Sequence, residues 1–319
     1  MDRNQLNQRL PQIVNTLAES VNALPDIRRL DDVLLPSKEK VVAIVRLVQQ
    51  IVFPGFFGRQ NVTHDNLPYR LGELVFELTE LLHDQITHCL RYRNAEPIDI
   101  RNGKKCKDCD QEAAKITSEF FDRLPAVREL LSTDVAAAFE GDPAAQTPDE
   151  TIFCYPGLYA IMLQRVAHEL HRLNVPLLPR MITEHAHGST GIDMHPGAQL
   201  GKRFFIDHGT GVVIGETTVI GNNVKVYQGV TLGALAPAYG QALRGHKRHP
   251  TIEDDVVIYA GATILGGDTV IGKGSVIGGN VFITASVPPL NQVIAEPPKL
   301  KYRDKRPKGQ RAETVDFQI

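Results

Sequence analysis

GIDMHPGAQLGKRFFIDHGTGVVIGETTVIGNNVKVYQGVTL, Gly191–Leu232, places an aliphatic residue every six positions, and that period decides the fold. The frame opens with Leu200 and Ile206 and resumes in a new phase at Ile214, Ile220, Val226 and Leu232. It continues through Ile252 and Ile258, then through Leu265, Ile271, Ile277 and Ile283. Four residues beyond nine of these positions stands a small or β-branched residue: Thr218, Val224, Val230, Val256, Ala262, Thr269, Ser275, Val281 and Val287. Turn-forming tetrads such as GETT, GNNV, GGDT and GGNV lie between. An ordinary strand alternates every two residues for its whole length, whereas here the frame breaks every six with residues suited to a turn. Short flat sides of this kind bury their aliphatic faces only by stacking, which predicts a parallel β-helix. The span 192–287 holds 96 residues, of which the 18 from Gly233 to Pro250 break the pattern. The remaining 78 make about thirteen hexads, or roughly four three-sided coils. A β-sandwich would need longer alternating strands and hairpin turns, which are not visible.

The interruption, GALAPAYGQALRGHKRHP, is a loop thrown out of a regular scaffold, and such loops commonly carry function. It holds Arg244, His246, Lys247, Arg248 and His249. Within the repeat itself, Asp193, His195, Asp207 and His208 gather acids and imidazoles into sixteen positions.

The half before the repeat has the helical period. Val41–Val52 (VVAIVRLVQQIV) predicts a buried or interface helix, and Leu71–Arg93 an amphipathic one. The Pro-, Gly- and Asn-rich stretch 53–68 predicts a loop. Two helices are expected at 111–123 and 127–140, the second stopped by Gly141-Asp142-Pro143. A further one is expected over 156–173, with helix giving way after Pro179. Of four cysteines, only Cys106 and Cys109 form a C-x-x-C, half a zinc site at most, and an exposed helix start is the simpler expectation.

At 319 residues the chain is long enough for two cores. Its 35 basic and 37 acidic residues, net −2, give no field to draw it to nucleic acid or to a membrane. No run reaches the ~20 apolar residues of a membrane span, and the N-terminus lacks a signal peptide's apolar core, so a cytoplasmic location is expected.

Asp142-Pro-Ala, IDMHPGA, IDHGTGVVIGET, VYQGVTLG and KRHPTI together resemble the hexapeptide-repeat acyltransferases, and the serine O-acetyltransferases in particular, from about Asp134 to Pro298. The resemblance implies an α+β chain. An all-α helical domain (1–185) is followed by a left-handed parallel β-helix of hexapeptide repeats (186–290) and a flexible C-terminal tail (291–319). The left hand comes from the resemblance, since the general crossover rule is right-handed. It also implies direct transfer of acetyl from acetyl-CoA to the hydroxyl of L-serine, supplying cysteine biosynthesis, with no acyl-enzyme and no metal.

On that pattern His208 is the general base and Asp193 orients its ring, with His249 at the reaction centre. A weakly nucleophilic hydroxyl needs such a base, and histidine titrates near neutrality. Asp142 and Asp207 match the acids that recognise serine's ammonium and hydroxyl side. Arg248 matches the group facing its carboxylate, which a guanidinium fork suits. Gly233, Ala260, Gly261 and Gly279 match the small residues along the CoA arm, although Ala234 and a longer loop depart from the family's short glycine-rich turn. The resemblance implies a homo-oligomer, trimer or dimer of trimers, with sites shared between subunits. It also implies that Ile319, behind the basic run Lys299–Arg311, docks into O-acetylserine sulfhydrylase.

Three other readings are distinguishable. Acetyl transfer to a sugar or antibiotic hydroxyl would use the same histidine without needing Asp142 or Arg248. A zinc lyase of the γ-type carbonic anhydrase kind would draw ligands from His195, His208, His246 and His249, whose spacing departs from that pattern. A non-catalytic scaffold would leave the clustered acids and histidines without a purpose.

Overall fold

The computed structural model describes residues 2–30, 35–59, 61–94, 108–235, 240, 242–296, 301 and 305. Cys106, Ile319 and most of the basic run lie outside them. Among the described residues, seven α-helices precede fourteen short strands: α1 Arg3–Ala23, α2 Lys38–Val52, α3 Leu67–Asn94, α4 Cys109–Gly141, α5 Pro148–Cys154, α6 Pro156–Arg172 and α7 Leu178–Thr190. Among the described residues, no helix is long and apolar enough to cross a membrane.

The strands wind through three all-parallel sheets, the faces of a left-handed β-helix. Face A holds β1 (Asp193–Met194), β4 (Val213–Ile214), β7 (Thr231–Gly233), β10 (Thr263–Leu265) and β13 (Phe282–Ile283). Face B holds β2 (Gln199–Leu200), β5 (Val219–Ile220), β8 (Thr251–Ile252) and β11 (Val270–Ile271). Face C holds β3 (Phe205–Ile206), β6 (Lys225–Val226), β9 (Val257–Ile258), β12 (Val276–Ile277) and β14 (Gln292–Val293). Four full coils and part of a fifth result, close to the expected count. The residues four beyond the aliphatic positions, from Thr218 to Val287, are all buried at the corners.

Ile264, not Leu265, fills the core of the fourth coil, paired in register with Leu232, while Leu265 lies beside Gly233 and stays half-buried. The spacing Ile258 to Ile264 is six and Ile264 to Ile271 is seven, so one extra residue sits in the Gly266-Gly267 corner.

The helices depart from expectation: α1 and α5 were not expected, and α3 begins at Leu67, inside the stretch read as loop. The separate helices expected at 111–123 and 127–140 are one 33-residue α4 running through Pro125. An interior proline costs about 3 kcal/mol, but Ile116, Phe120, Leu124, Val127, Leu131 and Ala138 stay on one buried stripe across it. Burying each of the larger side chains contributes about 1.5–3 kcal/mol. Helix also continues past Pro179, as α7, because a proline in a first turn has no hydrogen bond to lose. Cys109 opens α4 fully buried and disulfide-bonded rather than exposed.

One buried ion pair fastens helices to coils. Arg165 Nε and Nη2 donate to the two carboxylate oxygens of Asp134 at 2.6 and 2.8 Å, and Nη2 also donates to the Gly201 carbonyl at 2.7 Å. Asp134 in turn accepts from the Phe204 amide at 3.0 Å, and Gln164 donates to the Ala198 carbonyl at 2.8 Å. Nearby, α6 packs backbone to backbone on β3: a Cβ on Gly157 would lie 2.2 Å from the Ile206 carbonyl oxygen.

Candidate active site

His208 stands where the coil departs from its period. The corners from face C to face A occupy 227–230, 259–262 and 278–281 in the later coils, four residues each. Between β3 and β4 the corner takes six, 207–212, which explains the phase shift from Ile206 to Ile214. The excess projects His208 outward on a left-handed backbone, φ 56°, with its side chain 72 % exposed. Its Nε2 lies 3.8 Å from an oxygen of Asp207, whose side chain is largely covered.

Asp142 meets this corner from the end of α4. Tyr155 donates its hydroxyl to Asp142 Oδ2 at 2.6 Å and the Ala144 amide donates to Oδ1 at 2.8 Å. The tyrosine bond, then the amide, hold the Asp142 carboxyl below its ordinary range, with Lys225 and His208 adding positive charge; the same bond pushes the Tyr155 phenol up. Lys225 donates to the Gly141 carbonyl and lies 4.9 Å from the ring centres of both Phe205 and Tyr227. Asp142, Asp207 and His208 are therefore gathered as a fixed anionic cradle beside an exposed imidazole.

Asp193 is held apart from that ring. Its carboxylate lies 3.7 Å from Arg180 Nη2, and no hydrogen bond joins it to His208 among the described residues. Glu184, His187 and Asp193 bring one ligand atom each within 4.8 Å of one another.

Arg248 and His249 lie at a different corner, from face A to face B, where the 233–250 loop returns to β8. Glu216 and Thr217, one coil earlier, receive them: Arg248 Nη2 donates to the Glu216 carboxylate, and the Thr217 amide donates to His249 Nδ1 at 3.1 Å. His249 is 8 % exposed, and burial, then the Arg248 charge, pushes its pKa down to about 4. His195 joins the same corner from β1, its Nδ1 accepting from the Gly197 amide at 3.0 Å and its ring edge-on to His171 at 6.0 Å. Burial pushes its pKa down to about 4 as well. A Cβ on Gly215 would lie 2.2 Å from His249 Nε2, so the ring packs flat on bare backbone.

Ala260, Gly261 and Gly279 line the corner column below His208, tied by the Gly261 amide to the Gln228 carbonyl and the Asn280 amide to the Ala260 carbonyl, both at 2.9 Å. Gly233 ends β7 on the other side of face A. Sequence reasoning missed Tyr155, Lys225, Glu216 and Thr217. The last two stood inside the GET of the repeat and looked like turn residues.

No protein-family profile matches the chain. It is 44% identical over 291 residues to a protein of Synechococcus elongatus named serine acetyltransferase, plasmid, covering 88% of each. It superposes on serine acetyltransferase 1 of Entamoeba histolytica in complex with L-cysteine, TM-score 0.68 and 34% identity, over 82% of this chain and 88% of that one. The serine acetyltransferase of Neisseria gonorrhoeae in complex with serine superposes with TM-score 0.52 and 25% identity, over 81% and 97%.

Proposed function

The chain belongs to the serine acetyltransferase family, and on that premise we propose that its site for serine and acetyl-CoA is completed only between two copies of the chain. The reaction is acetyl transfer to the hydroxyl of serine, giving O-acetylserine for cysteine biosynthesis.

The observation that carries the shared site is the split between the two corners. His208 and His249 flank face A on opposite edges, one at the corner that enters the face and the other at the corner that leaves it. A base and a partner group must each come within ~3 Å of one small amino acid. One chain holds the two on different corners; a second copy, presenting its Arg248 corner to the first copy's His208 corner, brings both to one molecule.

In that arrangement Asp142 and Asp207 receive the serine ammonium and fix the hydroxyl beside His208. Asp193 heads face A in register with Val213, at the foot of the His208 corner. A turn of the exposed ring brings it under the influence of that carboxylate, which orients the imidazole and stabilises it once protonated. His208 takes the hydroxyl proton as the serine oxygen bonds to the thioester carbon. The C–S bond then breaks, and the leaving thiolate recovers the proton from the imidazolium. Arg248, from the partner copy, takes the serine carboxylate with the guanidinium edge that Glu216 leaves free. The pantetheine arm runs down the smooth column of Ala260, Gly261 and Gly279, with Gly233 of the facing edge opposite.

A homotrimer, the assembly that the family resemblance implies, repeats this contact in a closed ring. Ile319 as the group that docks on O-acetylserine sulfhydrylase remains part of the reading, supported by the family alone.

Thiol release from acetyl-CoA tests the function, with L-serine, a sugar hydroxyl or no acceptor, for wild type and His208→Ala. Serine-dependent release falling at least ~10² in the variant supports the reaction and the base. Release equal with and without serine refutes both.

A further inference from the structure

Thr217 uses every polar atom it has on three consecutive residues of the returning loop. Its carbonyl accepts from Lys247 Nζ at 2.8 Å, and its Oγ1 accepts from the amides of Arg248 at 2.9 Å and His249 at 3.1 Å. Its own amide donates to His249 Nδ1 at 3.1 Å, and Oγ1 lies 3.0 Å from the same nitrogen. A hydroxyl offers two lone pairs and one hydrogen. With both lone pairs engaged by amides, the hydrogen is left to point at Nδ1.

That geometry fixes the tautomer of His249. A nitrogen that accepts from a backbone amide carries no hydrogen, so in the neutral ring the hydrogen sits on Nε2. His195 follows the same rule through the Gly197 amide. Protonating His249 would set an N–H against the Thr217 N–H, and Lys247 and Arg248 lie alongside.

We propose that Thr217 is the positioning residue of the Arg248–His249 pair, and that it holds His249 as a neutral Nε2–H donor to a carboxylate or carbonyl oxygen of the reactants rather than as a second base. The inference rests on the reading that His249 faces the reacting amino acid, and it divides the two histidines: His208 moves the proton, His249 only donates a hydrogen bond. A neutral imidazole donor suits this corner because it supplies polarity to an oxygen without adding a transferable proton beside the thiolate leaving group.

Two measurements on the full chain test it. Ring-15N histidine spectra at neutral pH, with His249 assigned from the peak lost in His249→Gln, are expected to show Nε2 protonated and Nδ1 bare. Steady-state kinetics then compare Thr217→Val, which keeps size and amide but strands two loop amides, with Thr217→Ser, which restores the oxygen. kcat/KM for serine is expected to fall about tenfold or more in Thr217→Val and to return to within about threefold of wild type in Thr217→Ser. A hydrogen on Nδ1, an imidazolium at neutral pH, a Thr217→Val enzyme equal to wild type, or a Thr217→Ser enzyme as poor as Thr217→Val overturns the proposal. Absence of serine-dependent release in the wild type refutes the functional reading instead. The spectrum needs neither substrate nor a folded valine variant, so it still decides the tautomer.

Discussion

Mixing two dead enzymes is the sharpest test of a site divided between corners. His208→Ala removes the base and leaves the Arg248 corner whole, because His208 is exposed on its own protruding turn. His249→Ala removes a buried ring from the other corner and leaves Asp142, Asp207 and His208 untouched. His208→Ala is expected to lose at least ~10² in rate with the base, and His249→Ala about 10²–10³ with a preorganised hydrogen-bond donor. Co-expressed in equal amounts and assembled at random, the two chains form interfaces of four kinds. A site works only where an intact His208, half of the chains, faces an intact His249, half of the neighbours; one half times one half gives about one quarter of wild-type activity in a closed ring. The assay is thiol release by the purified mixed oligomer, with each parent assayed at the same concentration. If both histidines served one chain's own site, every site in the mixture would lack one of them. Activity no greater than the average of the parents would therefore refute the shared site, provided that mass measurement shows mixed oligomers.

Other outcomes follow from particular contacts. Arg165→Met leaves Asp134 as an unpaired buried carboxylate and is expected to destabilise by about 3–5 kcal/mol in denaturant titration, whereas Arg203→Met, removing an exposed partner of Glu140, changes stability by less than about 1 kcal/mol. Gly157→Ala forces a methyl against the Ile206 carbonyl and is expected to cost about 1–3 kcal/mol; a melting temperature equal to wild type would show that α6 can ride up without penalty. His249 has its folded pKa depressed to about 4, so below the ordinary value near 6.5 the unfolded chain binds the extra proton. Stability from this group is whole above pH 6.5 and declines as pH falls toward 4, by about 3 kcal/mol. His249→Gln should flatten the wild-type loss in that window, read as unfolding midpoint against pH, and an unchanged slope would contradict the burial argument. Tyr155→Phe removes the first support of the Asp142 carboxylate, and KM for serine is expected to rise with kcat less affected.

The core of the β-helix was legible because each coil repeats one physical demand, an aliphatic side chain inward at the same place. Ile214, Ile220, Val226, Leu232, Ile252, Ile258, Ile271, Ile277 and Ile283 all meet it. Leu265 failed because one extra residue at Gly266-Gly267 shifts the frame, and Leu265 and Ile264 are equally apolar to a reader of periods. The unbroken α4 was illegible for a related reason: Pro125 is a strong local signal, and only the tertiary burial of Leu124 and Val127 outweighs it. The candidate acids and histidines were legible as residue types. Their grouping was not, since nothing in the spacing says that Asp193 faces Arg180, or that Arg248 and His249 return to a different corner from His208.

The candidate site residues sit at the departures from the period, and there is a physical reason. Where six residues make one side and one corner, inward positions are committed to the core and corner positions to turning, so few side chains are free to converge on a small molecule. Two extra residues at 207–212 push His208 clear of the coil. Leu232 and Ile252 stand twenty positions apart instead of six, so fourteen extra residues leave the coil and come back carrying Arg248 and His249, which a regular corner could not hold. Such an excursion needs an anchor to return in register. Thr217 supplies it from the preceding coil, at a position that the repeat would otherwise spend on a turn. The candidate residues thus sit at two breaks in the period, and the longer break is pinned to the preceding coil by Thr217.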